Sequence, residues 1–185
     1  MLGLCRGLVR YFRRDAVRFR RARDGATVVE FALIVPVFLA MLIAIFETTL
    51  FLFVQATLQN AAVETGRQFM TGQVQNTGTT QSQFKTNTVC PMVSALFTCS
   101  NVMVNVATYS SYTGAGTTAP TLTYNSNGTV SNTWSYAPAT PGEVMVVQLI
   151  YQWPIVSGPF GYLLSNLGNG TTEMMGVSAF RVEPY

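Results

Sequence analysis

The sequence predicts an α+β protein in which a long N-terminal helical stem, membrane-spanning at its start, leads into a small, mainly antiparallel β-sheet domain. Three observations carry that expectation. Arginines crowd the first 25 residues, an uncharged apolar run follows at once, and beyond residue 100 apolar residues alternate in the manner of strands.

The charge map comes first. Eight arginines precede residue 25, beside only Asp15 and Asp24, so the leader carries +6 while residues 26–185 carry −3. Clustered arginines suit phosphate backbones, but an apolar run directly after them points to a membrane instead. Residues 31–46 hold no charge and apolar character resumes at 50–54, so residues 26–54 exceed the roughly 20 needed to cross a hydrocarbon core. The arginines then act as a positive-inside signal that keeps the N-terminus cytoplasmic. Nucleic acid is not an expected partner; membrane lipid is. An ordinary secretory signal has an apolar core of about 7–15 residues and a small-x-small cleavage site. No such site follows Val54, so the segment is expected to stay as an anchor.

Helical periodicity continues past the membrane boundary. Val54, Leu58, Ala61, Ala62, Thr65 and Phe69 form one stripe, with Gln55, Gln59, Asn60, Glu64, Arg67 and Gln68 on the other face. Glu64 and Arg67 are placed for an (i, i+3) pair. A single helix over 26–72 would be about 70 Å long, ended by Gly72 and the polar stretch 76–82. Pro36 removes one helix hydrogen bond, so a local kink is expected there. Glu47 falls near the outer membrane boundary. The expected organisation is a leader over 1–25, a transmembrane helix over 26–54, a stem extension over 55–75 and an exported α+β domain over 76–185.

Within that domain, residues 83–97 read as a short helix broken near Pro91, and 101–109 as a strand through Val102, Val104 and Val106. Residues 110–120 form a small-residue loop. Asn125-Ser126-Asn127-Gly128, between 121–124 and 129–136, signals a hairpin. Residues 143–153 carry apolar side chains on both faces, which suggests a central strand covered by helix or stem; Pro154 ends it. A glycine-punctuated loop over 155–168 and a last strand over 172–182 follow. Cys90 and Cys99 enclose a short loop in the exported part, where an oxidising compartment permits a disulfide; two buried free thiols are the competing reading. Cys5, in the leader, is expected to be a reduced thiol. With no histidine and no CxxC, neither a metal nor another cofactor is expected.

The junction Gly25-Ala26-Thr27-Val28-Val29-Glu30-Phe31 resembles the prepilin cleavage motif of Flp and Tad type IVb pilins. Its continuation through Ala32-Leu33-Ile34-Val35-Pro36, the pairs Ala61-Ala62 and Gly66-Arg67, and the terminal Phe180-Arg181-Val182-Glu183-Pro184-Tyr185 resemble TadE-like minor pilins of the tight adherence system. The resemblance implies a pilin-like fold and cleavage of the Gly25–Ala26 bond by a prepilin peptidase. It also implies a place in a bacterial inner membrane with the domain in the periplasm, or in an extracellular pilus. Implied partners are the major Flp pilin, other minor pilins and the inner-membrane assembly platform.

The chemistry of the junction suits that role. A glutamate inside an apolar helix is costly unless paired, and cleavage would create its partner, the ammonium of Ala26. Glu30 of one subunit, beside Phe31, could then meet the N-terminus of a neighbour and set subunit register. An interfacial glutamate that snorkels to headgroups is the competing reading for Glu30, and a flexible juxtamembrane joint is the one for Gly25. Catalysis is not expected: without histidine, general-base work would fall to sparse carboxylates or Lys85. Another function class is an uncleaved, signal-anchored periplasmic module that binds an envelope or glycan partner. Tyr109, Tyr112, Tyr124, Trp134, Tyr136, Tyr151 and Trp153 would supply its stacking surfaces, although such aromatics also build cores. Arg181 and Glu183 are candidates for a cross-strand pair or a subunit contact, against a solvated surface.

Overall fold

The computed structural model describes residues 24–155, 167 and 170–184. Leader residues 1–23, with Cys5, most of the 155–168 loop, Asn169 and Tyr185 lie outside the described residues. The chain divides into two compact units, with the boundary along the stem between Phe46 and Glu47.

Helix α1 runs over Asp24–Met70, with Pro36 inside it. It is long and apolar enough to cross a membrane once. In the first unit its large apolar side chains face outward: Phe31 is 68% exposed, Leu33 70% and Phe46 72%. So continuous an exposed apolar surface is of the kind that marks a membrane or protein contact.

In the second unit the same helix has a buried stripe. Val54, Leu58, Ala61, Ala62, Thr65 and Phe69 are all buried, as their spacing predicts. Arg67 pairs with Glu64 at 3.0 Å on the exposed side. The helix stops at Gly72, whose φ of 73° is natural to glycine. The short helix α2 (Gln73–Asn76) then extends the turn with Val74 buried.

A short, irregular helical stretch follows. Helix α3 (Gln81–Phe84) opens on a capping box between Thr80 and Gln83. The expected break at Pro91 takes another form. Residues Lys85–Val89 make a π-turn, in which the Cys90 N–H reaches back to the Lys85 carbonyl, and Pro91 then starts α4 (Cys90–Val93). A proline ring collides with the carbonyl four residues back in a regular α-helix; the wider turn just ahead of Pro91 lets the helix proceed.

The sheet has three antiparallel strands in the order β1 (Met103–Tyr109), β2 (Val144–Pro154), β3 (Thr171–Arg181). The three expected strands are thus present and β2 is central. Residues 144–151 are all buried. One face of β2, with Met145, Val147, Leu149 and Tyr151, packs into the core with the stem stripe, Phe84, Val89 and Val93.

The opposite face is covered by irregular chain rather than by helix. Buried Gln148 accepts from Asn105 and donates to the carbonyls of Gly116 and Thr118, and Gln152 donates to the Tyr124 hydroxyl at 2.6 Å. The expected hairpin shrinks to a turn and one bridge, Tyr124 with Val130. Asparagine side chains replace the rest of its ladder. Asn125 accepts from the N–H groups of Asn127 and Thr129, and Asn132 accepts from the Thr123 N–H and donates to the Thr121 carbonyl.

Two close approaches fix the stem on the sheet. A Cβ on Gly176 of β3 would collide with the carbonyl of Leu58, and one on Gly66 would meet Ser178 and Phe180. These glycines let the helix lie against the strand.

Candidate functional site

The first turns of α1 hold the junction residues. Gly25, Ala26, Glu30 and Phe31 are exposed and helical, and the space around Gly25 is open. Ala26 and Glu30 stand four residues apart, which places them on one face of the helix. Pro36 is exposed two turns further on, and Glu47, half-buried, begins the second unit.

Cys90 and Cys99 are joined, with Cα atoms 5.5 Å apart, so the disulfide reading holds and the free-thiol reading is corrected. The bridge ties α4 to the short 3-10 turn Cys99–Asn101 that feeds β1. Lys85, at the start of the π-turn ahead of α4, is tied to the same 3-10 turn, its ammonium donating to the Ser100 carbonyl at 2.8 Å. Partial burial pushes the Lys85 pKa down from its ordinary value.

The aromatic residues divide between core and surface. Phe69, Phe84 and Tyr136 form one cluster, with Phe69 and Phe84 ring centroids 4.7 Å apart; Phe97, Tyr151 and Trp153 form another, with Phe97 and Tyr151 at 4.8 Å. Tyr136, Tyr151 and Trp153 thus serve packing rather than an open stacking surface. Tyr112 and Tyr124 are exposed. Trp134 lines a recess of about 360 Å³ together with Gln81, Ser82, Lys85, Ser100 and Val104.

Arg181 does not join Glu183: its Nε donates to the Gly142 carbonyl at 2.7 Å, bracing the turn before β2. Beside it, the Glu143 carboxylate accepts from both the backbone and the hydroxyl of Thr140, which holds its pKa below the usual value. Among the described residues, no three His, Cys, Asp or Glu side chains gather as a metal site.

Gln55 and Gln59, on the polar face by their spacing, have a specific task in the structure. Gln55 Nε2 donates to the Met175 carbonyl at 2.8 Å, and Gln59 bonds both the carbonyl and the N–H of Val177. β3 is an edge strand, so these two amides occupy backbone groups that would otherwise be open to another strand. The only advance signal is that both positions flank the buried stripe.

Residues 25–67 match the family model described as TadE-like protein, in agreement with the resemblance of the junction motif. No curated protein and no solved structure matches the chain.

Proposed function

With residues 25–67 TadE-like, we propose that the chain is a minor pilin of a Tad-type pilus, a structural subunit that supports pilus assembly and through it surface adhesion. The observation that carries this reading is the coincidence of the match with the geometry of α1. One helix begins with an exposed glycine and a glutamate at pilin spacing, is apolar enough to cross a membrane, and ends as the packed spine of a small sheet domain.

The steps follow from the TadE-like resemblance, read together with charge and solvation. The chain inserts with its +6 leader in the cytoplasm of a bacterial cell and its domain in the periplasm. While attached, that leader opposes any movement of the helix out of the membrane. A prepilin peptidase reaches the open backbone at Gly25 and cuts before Ala26. The new ammonium and the Glu30 carboxylate of a neighbouring subunit are complementary. An unpaired carboxylate costs up to about 2.5–3.5 kcal/mol at the centre of the hydrocarbon and less towards its edge, and pairing offsets that cost only in the correct axial register. The stem packs against the major Flp pilin or another minor pilin at the assembly platform. The subunit works by packing and performs no catalysis.

Mass spectrometry of the protein purified from membranes tests the first step. The expected mature N-terminus is Ala26. An intact Met1, or a terminus after Val54, would overturn the reading in favour of an uncleaved anchor or a secreted domain.

A further inference from the structure

We propose that the recess between α3 and the start of β1 binds an acidic saccharide, with a uronate carboxylate on Lys85 and the sugar ring against Trp134. The inference concerns the sheet domain alone and holds whether or not Gly25 is cut.

Lys85 is the only lysine in the chain. It is partly buried in the recess wall and, among the described residues, no carboxylate lies within ion-pair distance of it. Its ammonium spends one proton on the Ser100 carbonyl, leaving two donors. A partly desolvated cation without a counter-charge is unfavourable, and an incoming carboxylate restores the balance through charge-assisted hydrogen bonds. The lowered Lys85 pKa agrees with that position.

The walls are held in place before any ligand arrives. The Cys90–Cys99 disulfide and the Lys85–Ser100 bond fix one side. On the other, Trp134 sits on a segment tied to β1: Ser135 donates its N–H to the Asn105 side chain, Val106 donates to the Ser135 carbonyl, and Ala137 donates to the Val106 carbonyl. Gln81 donates to the Val104 carbonyl through its amide nitrogen, so its oxygen is left to accept from a sugar hydroxyl.

The ligand class follows from the lining. About 360 Å³ falls at the small end of the roughly 300–1,000 Å³ typical of small-ligand sites. One cation beside two serine hydroxyls and an amide, with an indole and the apolar Val102, Met103 and Val104 completing the lining, suits a singly charged sugar whose hydroxyl edge meets the polar groups and whose C–H face meets the apolar ones. A phosphate chain would need several basic groups, and the other cations of the described exported region, Arg67 and Arg181, are engaged elsewhere.

The test uses the full chain in detergent micelles, titrated with trigalacturonate and, in parallel, with neutral galactotriose. Calorimetry and tryptophan fluorescence should show saturable trigalacturonate binding, weaker by about tenfold for the neutral sugar because the charge-assisted bonds are lost. Lys85→Gln should erase that preference and Lys85→Arg should keep most of it, while Trp134→Ala should weaken both sugars. In the unaltered protein, trigalacturonate should also slow acylation of Lys85, mapped by peptide mass and so independent of whether any variant folds. Absence of saturable binding with unprotected Lys85, equal affinity for the two sugars, or equal competition by acetate would overturn the proposal.

Discussion

Gln59 completes the edge of β3 as a strand neighbour would: its amide nitrogen donates to the Val177 carbonyl at 2.8 Å and its amide oxygen accepts from the Val177 N–H at 3.0 Å. Gln59→Met keeps the side-chain length and strips both bonds. Leaving buried or half-buried backbone groups unpaired costs about 1–3 kcal/mol each way. The expected outcome is a loss of that order in denaturant unfolding of the sheet domain, with increased self-association of the variant as the bared edge recruits other chains. Gln59→Glu tests the geometry separately, since a carboxylate can accept from Val177 but cannot donate to it.

Gly176 and Gly66 make a matched pair of probes. At Gly176 an added methyl meets helix backbone, the Leu58 carbonyl, which cannot move without shifting the stem; at Gly66 it meets the side chains of Ser178 and Phe180. Overpacking of this kind costs about 1–3 kcal/mol. Gly176→Ala is expected at or above the top of that range and Gly66→Ala nearer its foot, because side chains can rotate aside. Thermal unfolding of the two variants side by side checks the order.

The stem and the strands were legible in advance because long periodic segments have one way to bury their apolar side. The stripe from Val54 to Phe69 is buried residue for residue, and the alternation around Val104 and Val106 gives β1. What the pattern missed are places where side chains do backbone work. Asn125 and Asn132 stand in for a hairpin ladder, and Gln55 and Gln59 for a strand. Periodicity records polarity, and in these four residues it reads as solvent exposure. The covering of Gln148 by the carbonyls of Gly116 and Thr118 was equally hidden, because a small-residue loop has no period to betray what it packs on. At the junction, residue types and spacing were legible, since Gly25 and Glu30 are close in sequence and need no tertiary contact to be placed.

The Cys90–Cys99 bridge closes a loop with a separation of nine residues. In the chain-entropy account such a loop contributes about 2–3 kcal/mol by restricting the unfolded state. A Cys90→Ser/Cys99→Ser double variant is therefore expected to unfold at lower denaturant by that amount, and a reductant should lower the unaltered protein to the same level but leave the variant unchanged. Equal stability with and without reductant would mean that the bridge constrains nothing the fold does not already hold.

Two carboxylates should give opposite pH responses. Hydrogen bonds from Thr140 lower the Glu143 pKa on folding, so its contribution is present above the unfolded carboxylate pKa and is lost as pH falls through the folded value. Partial burial raises the Glu173 pKa. Its charged form is disfavoured in the fold, so stability declines as pH rises from the unfolded pKa through the folded one and stays lower above it. At neutral pH Glu143→Gln should be less stable than the unaltered chain and Glu173→Gln more stable, with both differences shrinking as the carboxylates become protonated in acid. Unfolding curves at neutral and acid pH read the signs.

Glu30 separates processing from assembly. It stands five residues beyond Gly25 on the exposed face of α1, so replacing it leaves the open backbone at the scissile bond untouched. Glu30→Ala is expected to be cut to Ala26 at an ordinary rate yet to fail to support piliation, because the ammonium left at Ala26 has no carboxylate to set its register. Glu30→Gln distinguishes charge from hydrogen bonding: if the ion pair is what matters, the amide should fail as the alanine does. Gly25→Val should reverse the phenotype, leaving an uncut chain whose +6 leader holds it in the membrane. Normal piliation with Glu30→Ala would remove the assembly role while leaving the cleavage assignment to be judged by the mature N-terminus.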